Sequence, residues 1–388
     1  NSGLAGAMWS IGDPEIPAST VQRGTLLNGQ NPVETWPVAF DANGVAEAVY
    51  KVPETFVRFN TTEETNDKER AERYIQVKLG NISGLPNIRL KRPPVVLVHG
   101  LWSEPGTWAT LKSGLNDKAQ YHILDADYSD SNAASLQENY PVIPGTIKEI
   151  FKDIKGQGLA ATKVDIIAHS MGGLITREFC RQESLAGRNC KDRIHKLITI
   201  DTPHKGSELA DILEVYRYRP DIFPFPTLSW CDLRISTFIN GDKTLKIKPH
   251  PINQGGIDDL ASGGWTETPF SNVPRGKWND LPDLASQLPA HTIVGVAHEW
   301  TLDPEIRALW EQVLQPCGFT LDRVFQSEAF MNDRIVKRSS QSGGLTGTNT
   351  QDFNLVDHFN VLENSAVISN VKSLLEEPLP STLFTTTP

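Results

Sequence analysis

The chain has 388 residues, of which 39% are hydrophobic and 22% are charged, so it can form a sizeable core in one large domain or in two or three smaller ones. Its 37 Lys and Arg against 47 Asp and Glu give a net charge of −10, which disfavours nucleic acid and anionic membranes as partners. No apolar run approaches the ~20 residues of a membrane-spanning helix, so no transmembrane segment is predicted.

Residues 1–92 show no helical period and contain short runs of strand-forming residues between turn residues. Strands are predicted at 38–40, 44–50, 55–59 and 74–79. Residues 41–48 resemble the hairpin of bacterial immunoglobulin-like surface repeats. We therefore expect a β-rich N-terminal module or, alternatively, an extension draped over the next domain. Because the chain begins at Asn1 without Met or an apolar leader, we expect a mature form or an excised fragment.

From residue 93 to 377, buried-strand patterns alternate with helical ones. Strands are predicted at 95–98, 122–124, 164–168, 196–200 and 292–296, and helices at 107–115, 144–154, 304–314 and 365–376. This alternation predicts an α/β fold with a mostly parallel, doubly wound sheet. Residues 339–350 are expected to form a Gly/Ser/Thr-rich loop, and the Pro/Thr-rich tail at 378–388 a linker or disordered end.

The alternation stops between about residues 211 and 289, where aromatic residues mix with many Gly, Pro and Asn. A stretch of this length without a regular period is usually functional when it lies inside a compact domain. The family resemblance described below implies a cap, or lid, over the active site. The alternative is a loop-rich subdomain that packs on the core.

The predicted strand that begins at Val164 runs into Ser170, which is followed by two glycines and a helical pattern. A strand, a sharp turn and a helix are the context of a nucleophile elbow, where the residues two before and two after the serine must be small. Those residues are Ala168 and Gly172. The alternative is a serine that only caps the following helix. The Ala-His-Ser-Met-Gly sequence resembles the elbow of a subset of bacterial lipases in the α/β-hydrolase superfamily.

A serine nucleophile needs an imidazole to take its proton and a carboxylate to orient that imidazole. The resemblance implies the chain order Ser, Asp, His, which Ser170, Asp333 and His358 provide. The sequence Asn-Asp-Arg-Ile-Val-Lys-Arg-Ser-Ser, from residue 332 onwards, resembles the N-D-G-x-V-P-x-x-S stretch of bacterial lipases, which contains the triad Asp. Arg334 and Lys337 depart from that pattern.

Three other aspartates compete with Asp333 for the role of triad acid, namely Asp201, Asp303 and Asp352. His358 is the only histidine after Asp333. His169 is expected to be a structural neighbour of the nucleophile, since adjacent side chains on a tight turn diverge.

An oxyanion hole needs two backbone N–H groups that point at the developing negative charge. The resemblance assigns one to Met171, which follows the nucleophile, and the other to Leu101, in the loop after the first buried strand. Gly100 would let that loop approach the substrate, and His99 would anchor it through hydrogen bonds. Residues 202–207 resemble the T-P-H-x-G-S segment of lipases and of inositol-deacylase-like hydrolases.

No dinucleotide-binding or phosphate-binding glycine motif occurs at a strand–helix junction, and no His/Cys cluster has zinc-ligand spacing. We therefore predict no cofactor and no metal; a structural calcium occurs in some lipases, but no matching ligand pair is found here. Cys180 and Cys190 flank a short polar loop and could be bridged, Cys231 and Cys317 could pair, or all four could stay free. We expect an exported protein.

Together these features predict a serine esterase or lipase that acts on a small-molecule, lipid or polyester substrate. The alternatives are an amidase, thioesterase or acyltransferase that uses the same triad, or a surface-binding protein that carries a passenger hydrolase fold. The oligomeric state and the natural substrate are not predicted.

Overall fold

The computed structural model describes residues 7–16, 22–53, 55–80, 82, 85–116, 119–218, 255–263, 273, 275–298 and 302–385. The chain divides into two compact units. The first contains residues 1–93, 116–122 and 376–380, and the second contains residues 94–115, 123–375 and 381–388. The first unit therefore includes two short segments from beyond the residue 92/93 boundary that the sequence suggested.

The first unit is antiparallel β-structure with one short helix among its described residues. Its elements are β1 (Met8–Gly12), β2 (Thr25–Asn28), β3 (Asn31–Val33), β4 (Thr35–Pro37), β5 (Val49–Lys51), α1 (Glu64–Glu69), β6 (Glu72–Leu79) and β7 (Ile88–Lys91). They form one sheet of order β4-β1-β6-β7 and another of order β3-β2-β5. Ile11, Leu26, Ile75 and Leu90 form a small core.

Three of the strands predicted in this unit differ in the structure. Residues 74–79 lie in β6 as predicted, but only the end of 44–50 is a strand, and in 38–40 only Phe40 makes an isolated bridge. Residues 55–59 are not a strand, because the backbone there turns to bury Arg58. The Arg58 guanidinium pairs at 2.7 Å with the carboxylates of Asp13 and Asp67. These buried ion pairs determine the path of the segment, whereas the apolar residues around Arg58 had suggested a strand.

The second unit is built on a parallel six-stranded sheet. Its strands are β8 (Val95–Val98), β9 (Ile123–Ala126), β10 (Val164–His169), β11 (Ile194–Ile200), β12 (Ala290–Val296) and β13 (Thr350–Asn354), in the order β13-β12-β11-β10-β8-β9. Every neighbouring pair is parallel. The predicted α/β architecture is confirmed.

The α-helices described in this unit are α2 (Ala109–Leu115), α3 (Leu136–Asn139), α4 (Val142–Gly156), α5 (Met171–Leu185), α6 (Glu208–Tyr218), α7 (Gly255–Leu260), α8 (Leu284–Gln287), α9 (Pro304–Ala308), α10 (Leu321–Phe325), α11 (Arg338–Gln341) and α12 (Ser365–Glu376). A π-helical turn spans Leu309–Leu314, and 3₁₀ turns span Pro105–Trp108, Cys190–Asp192, Lys277–Asp280, Gln315–Cys317, Gln326–Glu328, Gly347–Asn349 and Asn360–Leu362. No described helix is long and apolar enough to span a membrane.

Burial follows the pattern expected of a sheet with helices on both faces. Every residue of β8, β10 and β12 is buried, which explains why these strands are mostly apolar. Helix α4 buries Ile143, Ile147, Ile150 and Ile154, spaced at three and four residues, in the main core. A Cys180–Cys190 disulfide joins α5 to the turn before β11, and Cys317 is also disulfide-bonded; Cys231 lies outside the described residues.

The C-terminal half of this unit differs from prediction in two places. Strand β13 occupies 350–354, directly after the predicted loop, and was not predicted as a strand. A polar strand at the edge of a sheet does not need alternating apolar residues, so its sequence gives no strand pattern. The tail is packed as far as Thr385: Phe384 is buried, and Thr385 exchanges hydrogen bonds with the backbone of Ala290 at 3.1 and 2.9 Å. Most of the predicted cap, at 219–254 and 264–272, lies outside the described residues.

Candidate active site

Ser170 lies on a sharp turn between β10 and α5. Its φ of 53° is rare for a residue with a side chain, and the strain is typical of a nucleophile elbow. A Cβ added to Gly172 would lie 2.3 Å from the Val98 carbonyl oxygen, and one added to Gly173 would lie 2.3 Å from Thr202 Oγ1. Glycine at both positions therefore lets α5 begin directly against the sheet. Ala168 is buried in the main core, where its methyl group is accommodated.

The structure brings Ser170, His358 and Asp333 into one chain of hydrogen bonds. Ser170 Oγ lies 2.9 Å from His358 Nε2, and His358 Nδ1 lies 2.6 Å from Asp333 Oδ2. A carboxylate only accepts hydrogen bonds, so Nδ1 carries the ring proton and the Nε2 lone pair faces the serine hydroxyl. Three residues separated by up to 188 positions thus have the geometry in which imidazole can accept the serine proton.

Asp333 is held by its own loop. Its Oδ1 accepts hydrogen bonds from the backbone N–H groups of Ile335 at 2.8 Å and Val336 at 2.6 Å. Arg334 adopts a φ of 75° at the position where the lipase pattern has Gly. Its carbonyl accepts from the Trp310 indole at 3.0 Å, so tertiary contacts hold a turn that the side chain disfavours.

The loop after β8 approaches the nucleophile at Gly100. A Cβ there would lie 2.6 Å from Ser170 Cβ and 3.1 Å from its Oγ, so only glycine fits. Leu101 follows directly, and Met171 is the first residue of α5; their oxyanion role stays a prediction.

His99 lies fully buried in this loop, as the sequence suggested for an anchor. Its ring stacks on Tyr128 with centroids 4.1 Å apart, and the Tyr128 hydroxyl donates to the His99 carbonyl. Burial lowers the pKa of His99 and raises that of Tyr128 well above its usual range, so both groups are neutral near pH 7. Tyr128 was not singled out from the sequence; its position two residues past the carboxyl end of β9 is the only signal.

His169 hydrogen-bonds to the backbone of another loop, as expected for a structural neighbour. Its Nε2 donates to the backbone carbonyl of His358 at 2.9 Å, and the two rings lie 4.8 Å apart. Burial lowers the pKa of His169 well below its usual range, and the neighbouring His358 adds to the shift. A neutral His169 therefore supports the backbone of His358 without competing for the serine proton.

The segment at 202–207 braces the Asp333 loop. Ser207 Oγ donates to the Ile335 carbonyl at 2.7 Å, and Ser340 Oγ donates to the Gly206 carbonyl at 2.6 Å. His204 is held by Thr199 and by the buried Arg177 at 3.0 and 3.3 Å. The segment thus joins the end of β11 to the loop that carries the acid.

The other candidate acids occupy different surroundings. Asp352 pairs with Arg338 at 2.7 Å on β13, and the backbone N–H of Asp303 donates to Asp357. Asp201 is fully buried, and its carboxyl group lies within 4.8 Å of ring nitrogens of His169 and His358. These three are the one group with metal-ligand potential in the described part of the chain; both ring nitrogens of His358 are already used by Ser170 and Asp333.

The sequence comparisons include a match over the part of the chain that contains Ser170. A family model described as a PGAP1-like alpha/beta domain matches residues 90–220. A triacylglycerol lipase of Pseudarthrobacter phenanthrenivorans is 27% identical over 220 residues, which cover 54% of this chain and 60% of the relative. A GPI inositol-deacylase of Mus musculus is 45% identical over 90 residues, covering 23% of this chain and 9% of that protein.

A lipase structure from Bacillus licheniformis, BlEst2 in mature form, aligns with 74% of this chain and 93% of its own at 18% identity and a TM-score of 0.47. The sequence matches with the lipase and the inositol-deacylase cover less than two thirds of the length of each of these relatives. The order of the parallel strands and the strained serine turn give this chain the α/β-hydrolase fold, and its sequence is similar to a PGAP1-like alpha/beta domain and to a triacylglycerol lipase.

Proposed function

We propose that this protein is a serine hydrolase that cleaves carboxylic esters through an acyl-enzyme on Ser170. The observation that carries the proposal is the chain of hydrogen bonds from Ser170 through His358 to Asp333, at 2.9 and 2.6 Å. The matched triacylglycerol lipase, by its name, supports an ester substrate.

In the proposed mechanism, Ser170 Oγ attacks the ester carbonyl while His358 Nε2 takes the hydroxyl proton. Asp333 stabilises the imidazolium, and the N–H groups of Leu101 and Met171 donate to the oxyanion. His358 then protonates the leaving alcohol, and water activated by the same imidazole releases the acid. A backbone donor of this kind contributes roughly 3–4 kcal/mol to barrier reduction in comparable enzymes.

We propose an apolar acyl group as the preferred substrate feature, either in a lipid or in a polyester. Large apolar side chains are exposed on the segments that hold the triad: Phe330, Met331, Leu355 and Phe359. A cap over the site, formed by about 211–289, belongs to this proposal. The same triad would also serve hydrolysis of amides or thioesters, or acyl transfer to an alcohol, and product analysis with alcohol acceptors separates these reactions.

The test compares wild type with Ser170→Ala on p-nitrophenyl butyrate and p-nitrophenyl laurate. We expect the variant to lose activity by several orders of magnitude and the wild type to prefer one chain length clearly. Wild-type protein that is inert on both esters, or a variant with unchanged rates, would refute the proposal.

An oxidising, extracytoplasmic location is a further part of the proposal. The Cys180–Cys190 disulfide supports it, since disulfides are uncommon in reducing compartments. Free-thiol titration of protein isolated from its native compartment with the thiols blocked tests it, and two free thiols at Cys180 and Cys190 would contradict it.

A further inference from the structure

Asp201 contributes a second carboxyl group beside the proposed triad, and the mechanism above does not use it. It follows β11 directly, with a φ of 50°, and no part of it is exposed to solvent. Its Oδ1 accepts a hydrogen bond from the Gly295 N–H at 2.6 Å, and a Cβ on Gly295 would lie 2.7 Å from its Oδ2. Glycine on β12 therefore leaves the space that this carboxyl group occupies.

The Asp201 and Asp333 carboxyl groups are both fully buried beside the same imidazole: Asp201 lies within 4.8 Å of a His358 ring nitrogen, and Asp333 Oδ2 lies 2.6 Å from His358 Nδ1. Two buried carboxyl groups so placed are not both ionised, so one of them holds a proton. Asp333 accepts from three donors, namely the N–H groups of Ile335 and Val336 and the His358 ring. Asp201 accepts from Gly295 alone, and its Oδ2 has no donor among the described residues.

We infer that Asp201 is a protonated carboxylic acid whose Oδ2–H donates a hydrogen bond to Asp333, which makes it a positioning residue for the triad acid. This completes the hydrogen bonding of both groups, because the undonated oxygen of Asp201 becomes the donor. Burial and the negative charge of Asp333 both raise the pKa of Asp201 well above its usual range, which agrees with this assignment.

The groups that face Asp201 set the direction of its effect. Asp333 and Asp357 add negative charge, and the rings of His169 and His358 lie within 4.8 Å of it. A donor on Asp333 withdraws negative charge from the carboxylate that stabilises the imidazolium. Removing the donor should therefore raise the pKa that limits kcat/KM on the acidic side.

Infrared spectroscopy tests the protonation state without relying on the proposed function. We expect the wild-type minus Asp201→Asn difference spectrum at pH 7 to contain the C=O stretching band of a protonated carboxylic acid. The absence of that band would overturn the inference even if the enzyme were an active esterase.

The catalytic part of the inference rests on the proposed function and is tested with p-nitrophenyl butyrate across pH. We expect Asp201→Ala to lower kcat about 10- to 100-fold with little change in KM, and to raise the acidic-limb pKa. Asp201→Asn, whose amide can donate to Asp333 and accept from Gly295, should restore most of the rate and the wild-type limb.

Asp165→Ala is the matched control for loss of a buried carboxyl group. Asp165 lies at the opposite end of β10, where it pairs with His195 at 2.8 Å, so the variant should lose stability but keep the wild-type pH profile. An unchanged acidic limb in Asp201→Ala, or Asp201→Asn that behaves like Asp201→Ala, would overturn the positioning role. If Asp201→Ala does not fold, the Asn variant and the infrared band decide the question.

Discussion

Replacing Asp333 by Asn is expected to disable the site through the orientation of a single amide. Asp333 Oδ1 accepts from the Ile335 and Val336 N–H groups at 2.8 and 2.6 Å, so the Asn oxygen must occupy that position. The NH₂ group then takes the place of Oδ2, 2.6 Å from His358 Nδ1. Because an amide nitrogen donates, His358 Nδ1 must become an acceptor and the ring proton must move to Nε2.

A protonated, neutral Nε2 cannot take the Ser170 proton. The same change of tautomer in a comparable triad costs about 10⁴-fold in rate, which corresponds to about 5 kcal/mol of transition-state stabilisation. We therefore expect kcat/KM of Asp333→Asn to fall by about that factor. The protein should stay folded, since the volume and the two backbone hydrogen bonds are retained.

The assay is kcat/KM for p-nitrophenyl butyrate, measured from acidic to alkaline pH together with the thermal unfolding midpoint. Asp352→Asn is the matched control. The sequence also allowed Asp352 as the triad acid, but in the structure it lies on β13 and pairs with Arg338 of α11. We expect the control to stay within about twofold of wild type, as for a partly exposed ion pair. More than a tenth of wild-type activity in Asp333→Asn, or an equal loss in Asp352→Asn, would refute the reasoning.

Three further predictions address the loop, the disulfide and a buried acid. Gly100→Ala places a Cβ 2.6 Å from Ser170 Cβ, so we expect at least about a tenfold loss of kcat, with a slower reaction of Ser170 with a fluorophosphonate probe; an unchanged rate would contradict the close approach. The double variant Cys180→Ala, Cys190→Ala should lose about 3 kcal/mol of unfolding free energy in urea, as estimated for a loop of this size, and an unchanged midpoint would contradict it. Burial raises the pKa of Asp211 to about 7, so wild-type stability should fall as pH rises from 4 to 7. Asp211→Asn should remove that fall, equal wild type near pH 4 and exceed it above pH 7 by up to about 4 kcal/mol; a variant less stable than wild type at pH 8 would refute this.

The elements that surround the nucleophile were predictable because their signals are local. A strand rich in β-branched residues, a serine and two glycines within ten residues predict a buried strand, a tight turn and a helix. The contacts of Gly172 and Gly173 with Val98 and Thr202 show why glycine occurs there. The resemblance to lipase motifs then selected Asp333 and His358, and the structure places both beside Ser170.

Other features had no local signal. Strand β13 is polar and lies at the edge of the sheet. It forms a strand because β12 offers it backbone hydrogen bonds, and its own sequence has no strand pattern. The segment at 55–59 has the apolar pattern of a strand, yet the ion pairs of Arg58 with distant residues determine its path. The tail resembles a linker in composition but packs on β12 through Thr385.

The amino-acid sequence by itself determined the α/β class, the order of the strands along the chain and the turn at Ser170, because periodicity and glycine placement act over a few residues. Only the tertiary structure decided which aspartate faces His358 and which one lies behind it. Asp201 follows β11 and Asp333 lies far beyond it along the chain, and both reach the His358 ring only in the folded structure. Contacts of that kind depend on the packing of whole elements, which no short pattern specifies.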